Sequence, residues 1–356
     1  MSTFYKLAVK EIIRETPEAV SVLFQVPEEL QANYRFVAGQ YINLKLTLDG
    51  NEIRRAYSIC ATPESGELRI TIKSIKNGYF SKFANEQLTI GKVLEVGTPE
   101  GKFTFEPDAS RQKNYAAFVA GSGITPVMSI LQTVLEEEPN STFVLVYGNK
   151  SSNETIFYNQ LHDLQLKYVG RFFVHYVFSQ QKAEDQLFGR IEKSTVNFVL
   201  KNKHKEKEFD KFYLCGPEEM IFLLRDELQA AGLPKENIHY ELFTSGMSED
   251  DKKRISQILE KKVEGTEVTI IDGGKEFHFV MGEDFDNLLD GAIAAGADLP
   301  YACKGGVCST CRCQVVEGDV EMKLNYSLEE DELAKNYVLS CQAVPLSKKV
   351  VIDFGI

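Results

Sequence analysis

The chain has 356 residues, 43% of them hydrophobic, and a net charge of −12, which is enough for more than one buried core and, by length, about two or three domains. No apolar run reaches the roughly 18 residues that cross a bilayer as a helix, and Met1–Val20 lacks a charged start followed by an apolar stretch, so a cytoplasmic protein with no membrane partner is expected. From Gly265 onward 16 Asp and Glu stand against 7 Lys and Arg, a net of −9 that leaves −3 before it; the acidic excess belongs to the C-terminal end and argues against nucleic acid as a partner.

In chain order, Tyr41–Leu48, Glu67–Ser74 and Lys92–Val96 are short, rich in Ile, Leu, Val and Thr, and bounded by Gly, Pro or Asn. That pattern predicts strands of a small antiparallel barrel. From about Asn114 apolar runs alternate with helical segments: Tyr115–Ala120, a helix from Pro126, Thr142–Tyr147, a helix from Asn153, Arg171–Phe178, Lys211–Cys215 and a helix from Glu218. Such alternation predicts a parallel sheet with crossover helices.

The segment Phe118-Val-Ala-Gly-Ser-Gly-Ile-Thr-Pro carries a strand through glycines into a helix. Gly121 and Gly123 would let the backbone approach a pyrophosphate, with Ser122 between them. Thr125 can cap the helix and Pro126 suits its first position. At the end of the next strand stand Lys150, Ser151 and Ser152 with no acid among them. An acid there would hold a ribose 2′-hydroxyl, whereas a cation and hydroxyls suit a 2′-phosphate, so NADPH is favoured over NADH; the competing reading of Lys150 is a solvated surface lysine. The run Lys201–Asp210 reads as a solvated loop. Ser248–Lys262 reads as a linker helix with Ser248 as N-cap, or alternatively as a charged tether.

Cys303, Cys308 and Cys311 are spaced four and two residues apart in a glycine-rich loop, with Cys341 as a distant fourth. This is the plant-type [2Fe–2S] pattern, in which Gly305 and Gly306 allow the backbone to wrap the core. A structural zinc site would present two C-x2-C pairs, and only one is present. Cys313 falls outside the spacing and is expected to pack within a strand Arg312–Val316. The five histidines and the absence of a Gly-x-Ser-x-Gly elbow leave no hydrolytic constellation.

Taken in order, Arg55-Ala-Tyr-Ser, Gly78-Tyr-Phe-Ser, Gly121–Pro126, Cys215-Gly-Pro and Glu241-Leu-Phe resemble the ferredoxin–NADP reductase superfamily, here followed by a plant-type ferredoxin. Within that superfamily the order of modules is closest to the reductase-subunit family of bacterial phenylacetyl-CoA epoxidases. The resemblance implies a multidomain chain: an antiparallel β-barrel flavin domain over 1–110, an α/β parallel-sheet NADP-binding domain over 111–244, a linker over 245–264, and an α+β β-grasp ferredoxin domain over 265–356. It implies that Arg55 pairs with the phosphate of FAD, Tyr57 stacks on its ring and Ser58 hydrogen-bonds near its reactive nitrogen. It further implies that Gly78 and Ser81 help hold the phosphates, that Cys215 and Gly216 lie beside the nicotinamide, and that Glu241 and Phe243 close the far face of the flavin. Ala56, Lys73, Phe80, Ser122, Ser151 and Pro217 join the implied cofactor contacts. Lys150 stands where many relatives have arginine, which loses a bidentate grip on phosphate.

Electron counting ties these parts together. A nicotinamide gives two electrons as hydride and a [2Fe–2S] centre accepts one, so a flavin is needed between them. The expected activity is an NADPH-dependent oxidoreductase that delivers single electrons through Cys303, Cys308, Cys311 and Cys341 to an oxygenase, one that attacks an aromatic thioester. The alternatives are a free-standing NADPH:ferredoxin-type reductase for another acceptor, and a non-enzymatic protein whose cluster or zinc is structural. The acidic end would steer toward a basic docking face, or serve solubility alone.

Overall fold

The computed structural model describes residues 3–48, 51–76, 78–182, 186–243 and 249–355. The chain divides into two compact units, Ser2–Phe243 and Thr244–Ile356.

The first unit begins with β1 (Phe4–Thr16), β2 (Ala19–Gln25), β3 (Tyr41–Leu48), β4 (Asn51–Ser58), β5 (Leu68–Lys73), the helix α1 (Tyr79–Glu86) and β6 (Val93–Gly97). The strands form one antiparallel sheet in the order β4-β3-β6-β1-β2-β5. A bridge between Ile59 and Ile70 joins its two outer edges and closes a barrel. Period-two alternation turns Leu68, Ile70 and Ile72 of β5, and Leu94 and Val96 of β6, into the barrel core. Strand β2 departs from alternation because both its faces are covered. Val20, Val22 and Phe24 fill the barrel, while Ala19 packs into the core of the neighbouring α/β sheet.

That sheet comprises β7 (Asn114–Ala120), α2 (Ile124–Glu137), β8 (Thr142–Asn149), α3 (Tyr158–Lys167), β9 (Phe172–Phe178), β10 (Leu187–Phe188), α4 (Lys193–Asn197), β11 (Lys211–Cys215), α5 (Glu218–Ala230) and β12 (Ile238–Glu241). All six strands are parallel, in the order β10-β9-β8-β7-β11-β12. Their continuous apolar runs follow from helices covering both faces. The chain winds outward from β7 through β8 to β10 and then returns to lay β11 on the other side of β7. The C-terminal ends of β7 and β11 therefore flank a topological switch point, where such sheets open a crevice for ligands.

Four expectations shift here. The helix expected from Asn153 starts at Tyr158, after a separate 3-10 turn over Ser152–Glu154. The helix expected from Pro126 starts at Ile124, because Gly121–Gly123 coils into a 3-10 turn that runs directly into it. Thr125 makes no cap; its hydroxyl donates to the Ser122 carbonyl at 3.1 Å. Within Lys201–Asp210 the first three residues end a π-helical turn over Phe198–Lys203, and His204 turns inward to 5% exposure, so this is not simply a solvated loop.

The second unit starts with α6 (Glu249–Glu260), so the linker segment is helical; its candidate N-cap Ser248 lies outside the described residues. Ile258 is buried, the Arg254 guanidinium donates to the Met322 carbonyl at 3.3 Å, and Lys261 pairs with Glu321 at 3.5 Å. Then follow β13 (Glu267–Asp272), β14 (Lys275–Val280), α7 (Leu288–Ala294), β15 (Arg312–Glu317), β16 (Val320–Met322), α8 (Glu330–Leu333), β17 (Tyr337–Leu339), β18 (Ala343–Pro345) and β19 (Lys349–Asp353). Five strands make a mixed sheet in the order β14-β13-β19-β15-β17, with β13 and β19 parallel, and β16 pairs with β18. Helix α7 buries Leu288, Leu289 and Ala292 in the same core as Val268, Ile270, Val350 and Ile352. Cys313 belongs to that core at 1% exposure.

Candidate active site and cysteine loop

At the switch point two glycines let the ends of β7 and β11 meet. A Cβ on Gly123 would lie 2.3 Å from the Cys215 carbonyl oxygen, and one on Gly216 would lie 2.7 Å from the Met220 terminal methyl and 3.2 Å from the Ala120 nitrogen. Gly121 takes a left-handed φ of 56°, which a side chain would resist. Its carbonyl accepts the Tyr147 hydroxyl at 3.0 Å. The turn Gly121–Pro126 and the segment Cys215–Pro217 thus form two walls of one crevice, with Pro217 exposed at its rim. The walls fit an extended dinucleotide, since the glycines leave the backbone bare where β7 turns into α2.

The barrel contributes the third wall. The Ser58 hydroxyl, at the end of β4, donates to Glu241 Oε2 at 3.3 Å across a separation of 183 residues. Glu241 in turn sits opposite Cys215 in the β11–β12 register. The carboxyl group of Glu241 is enclosed even though the residue keeps some surface, and burial pushes its pKa up to about 8, against the pull of the Ser58 hydrogen bond. Burial, with a further push from Glu241, also drives the Cys215 thiol well above its usual range. The arrangement holds a protonated carboxyl beside a hydroxyl and a neutral thiol at neutral pH. It can keep or exchange a proton, but it offers no thiolate nucleophile. Phe243 is half-buried against the α/β core.

Beside Ser58, the Tyr57 ring leans on Phe80 with centroids 5.6 Å apart. Phe80 is 1% exposed in the barrel core, so its side chain backs the Tyr57 ring rather than facing solvent. Ala56 lies between Tyr57 and the exposed Arg55, whose Nη1 donates to the Arg54 carbonyl at 2.7 Å. The other arginine of the pair, Arg54, is buried at 6% exposure, with its Nε donating to Glu52 at 2.8 Å. Gly78 precedes α1, and a Cβ there would sit 2.2 Å from Ser81 Oγ and 2.5 Å from Ile75 Cγ1. Ser81 ties the turn together, accepting from the Ile75 N–H at 3.3 Å and donating to the Gly78 carbonyl at 3.2 Å. Lys73 reaches across to the other wall, its Nζ 3.9 Å from where a Gly121 Cβ would stand. A cation, an exposed guanidinium and two glycine turns around an aromatic ring fit a flat heterocycle carrying phosphates.

The two walls are also fastened behind the crevice. The Ser129 hydroxyl of α2 donates to the Ala61 carbonyl at 2.7 Å, just beyond the end of β4.

Lys150 is exposed and carries an ion pair within its own loop. Its Nζ lies 3.2 Å from Glu154 Oε2, and the Ser152 N–H and hydroxyl both donate to Gln181, at 2.8 and 3.1 Å. The Ser151 carbonyl accepts the Thr155 hydroxyl at 2.8 Å. Glu154 is the residue that the sequence reading passed over, although its spacing of four from Lys150 is an ion-pair signal.

In the second unit the loop between α7 and β15 carries Cys303, Cys308 and Cys311, and Cys341 follows β17. Lys304 and Ser309 take left-handed φ of 53° and 55°, and Gly306 takes 77°, so the loop curls tightly. The Gly305 N–H donates to Cys303 Sγ at 3.3 Å and the Gln342 amide to Cys341 Sγ at 3.5 Å. Cys303 faces Cys308 and Cys311 faces Cys341. In each pair one thiol is pulled down and the other pushed up: Cys303 is lowered by Cys308 and the N–H groups of Gly305, Val307 and Cys308, and Cys341 by Cys311, Gln342 and the Gly306 N–H, whereas Cys308 and Cys311 are raised well above the usual range by those partners and by burial. Four sulfurs with backbone donors among them fit a [2Fe–2S] cluster, which needs four sulfur ligands and N–H groups to spread its charge.

His175 of β9 and His204, which follows the π-helical turn, hydrogen-bond to one another at 2.8 Å.

Comparison with known proteins places these modules. Residues 6–105 match the oxidoreductase FAD-binding domain, 118–226 the oxidoreductase NAD-binding domain, and 270–346 the 2Fe-2S iron-sulfur cluster binding domain. The chain is 42% identical over 355 residues to a component of the 1,2-phenylacetyl-CoA epoxidase of Escherichia coli K12, covering 99% of this chain and 98% of that one. It is 31% identical to the ferredoxin reductase component of 3-ketosteroid-9-alpha-monooxygenase of Rhodococcus rhodochrous, covering 98% and 96%. The fold is that of phthalate dioxygenase reductase, with a TM-score of 0.60 at 20% identity, covering 99% of this chain and 98% of that one. The chain therefore belongs to the ferredoxin–NADP reductase superfamily, in the family of oxygenase reductase components whose FAD-binding, NAD-binding and plant-type [2Fe–2S] domains follow one another in a single polypeptide.

Proposed function

We propose that this reductase takes its electrons from NADPH and delivers them to a di-iron oxygenase that epoxidises the ring of phenylacetyl-CoA. The flavin supplies the exchange of a hydride pair for single electrons, and the cluster supplies a one-electron outlet. The observation that carries the assignment of the reaction site is the Ser58–Glu241 contact at 3.3 Å. It supports a site where barrel and nucleotide sheet converge on one protonated carboxyl. In this reading Arg55 and Lys73 bind phosphates, Ala56 and the Gly78–Ser81 turn shape the flavin pocket, and Tyr57, backed by Phe80, orients the ring. Ser58 and Glu241 hold a proton at its edge, Cys215, Gly216 and Pro217 position the nicotinamide, and Phe243 excludes water. Gly121, Ser122, Gly123, Thr125 and Pro126 receive the pyrophosphate, and Lys150 with Ser151 faces the 2′ position. Cys303, Cys308, Cys311 and Cys341 hold the cluster.

The relative 42% identical over nearly its whole length supports the acceptor. The ion pair between Lys150 and Glu154 tempers the nucleotide preference without reversing it. Anaerobic stopped-flow reduction of the purified holoprotein by NADPH and by NADH, followed by reconstitution with a phenylacetyl-CoA epoxidase oxygenase, tests both halves. The expected result is faster reduction by NADPH and product formation only when oxygenase and reductase are combined. Faster reduction by NADH sinks the donor, and full turnover with an unrelated monooxygenase but none with the epoxidase sinks the acceptor. Ser58→Ala should slow flavin reduction by roughly 10²-fold while flavin stays bound, whereas Arg55→Ala should lose flavin itself. An Arg55→Ala protein that keeps its flavin removes Arg55 from the pocket.

A further inference from the structure

We infer that Glu154 sets the discrimination between NADH and NADPH, by competing with a 2′-phosphate for Lys150 and by offering a 2′-hydroxyl an acceptor. This rests on the reading that Lys150 faces the 2′ position. Three observations carry it. First, the cation that would hold a 2′-phosphate is already paired, Nζ to Glu154 Oε2 at 3.2 Å. A dianionic phosphate entering there must displace a carboxylate and then sit beside it, and like charges that close oppose one another. Second, the donors of Ser152 are spent, because its N–H and hydroxyl both go to Gln181, at 2.8 and 3.1 Å. Lys150 is thus left to receive the phosphate without Ser152. Third, Glu154 Oε2 has no partner but Lys150 among the described residues, so it keeps a lone pair that a 2′-hydroxyl, which can donate, is able to use and a phosphate, which only accepts, is not. The site therefore admits both nicotinamides, and the carboxylate of Glu154 keeps the preference for the phosphorylated one small.

The test uses the oxidised holoprotein and two nucleotide fragments, 2′,5′-ADP and 5′-ADP, with dissociation constants read by isothermal titration calorimetry at fixed salt. Glu154→Gln should tighten 2′,5′-ADP roughly five-fold, the scale of one partly exposed ion pair, and leave 5′-ADP unchanged or weaker. Glu154→Ser should shift the ratio in the same direction, which keeps the test alive if the glutamine variant is poorly folded. Lys150→Met should weaken 2′,5′-ADP and spare 5′-ADP. If Lys150→Met weakens 2′,5′-ADP while neither Glu154 variant moves the ratio, the inference about Glu154 is overturned and the reading of Lys150 stands. If Lys150→Met leaves 2′,5′-ADP untouched, the reading of Lys150 fails first.

Discussion

Glu241 is an acid kept neutral by enclosure, and its ionisation is a pH-dependent load on the fold. Its pKa is about 8 in the folded chain against an ordinary 4.5. Below the ordinary value both folded and unfolded chains carry the proton and nothing is lost. As pH rises toward 8 the unfolded chain ionises and the folded one does not, so stability drains away across that window. Glu241→Gln cannot ionise. Its urea midpoint, relative to the parent protein, should therefore climb between pH 5 and pH 8, and a difference that stays flat across those pH values would show that the carboxyl is not held protonated. None of this was readable from the residue alone. Glu241 and Ser58 lie far apart in the chain, and only the resemblance of their flanking motifs linked them before the fold brought them to 3.3 Å. The cysteine loop was the opposite case, because three sulfurs on one side of a small inorganic core require a short, fixed spacing, Cys303, Cys308 and Cys311, that survives in the linear sequence. Lys150 shows the cost of reading too short a window. Its partner lies one helical step away in a 3-10 turn over Ser152–Glu154, beyond the span Lys150–Ser152 that points to the phosphate.

Among the elements, strands were legible where their environment is uniform. The sequence spans Tyr41–Leu48 and Lys211–Cys215 coincide with β3 and β11, one reading as alternation in a barrel wall and the other as an unbroken apolar run in a parallel sheet. Helix starts were less legible. The start of α3 moves from Asn153 to Tyr158 because a separate turn intervenes and Phe157 adopts a left-handed φ of 62°, a conformation that no local signal announces for a phenylalanine. The same scale governs the switch point, where α2 can begin against the end of β11 only because Gly123 has no side chain. Gly123→Ala would push a Cβ to 2.3 Å from a main-chain oxygen, and main chain cannot swing aside as a flexible side chain can. The substitution should cost about 2–3 kcal/mol, at the upper end of overpacking, and should weaken nicotinamide binding as well. An unchanged denaturation midpoint would mean that the two walls are not in contact in solution.

For the whole molecule, charge separates the two tasks. The net of −12 is concentrated after Gly265, and the acidic turn Glu329–Glu332 begins two residues after Ser327, whose carbonyl accepts the Ser309 hydroxyl of the cysteine loop at 3.4 Å. Electron delivery to a separate acceptor with a basic face should therefore slow as salt screens the attraction, by roughly ten-fold between 50 mM and 500 mM NaCl. Reduction by nicotinamide within the first unit should change far less. Equal salt responses of the two steps, followed by stopped-flow with cytochrome c as a basic acceptor, would leave the acidity with a role in solubility alone. The broad order of modules was legible because each carries its own motif and its own periodicity. A docking surface carries no comparable motif, and the acidic residues after Gly265 are scattered along the sequence.

Phe243, half-buried against the α/β core, is also the last residue of the first unit. The chain thus leaves the first unit two residues past Glu241, so a substitution at the buried Leu242 or at Phe243 acts on the very stretch of backbone that carries that carboxyl.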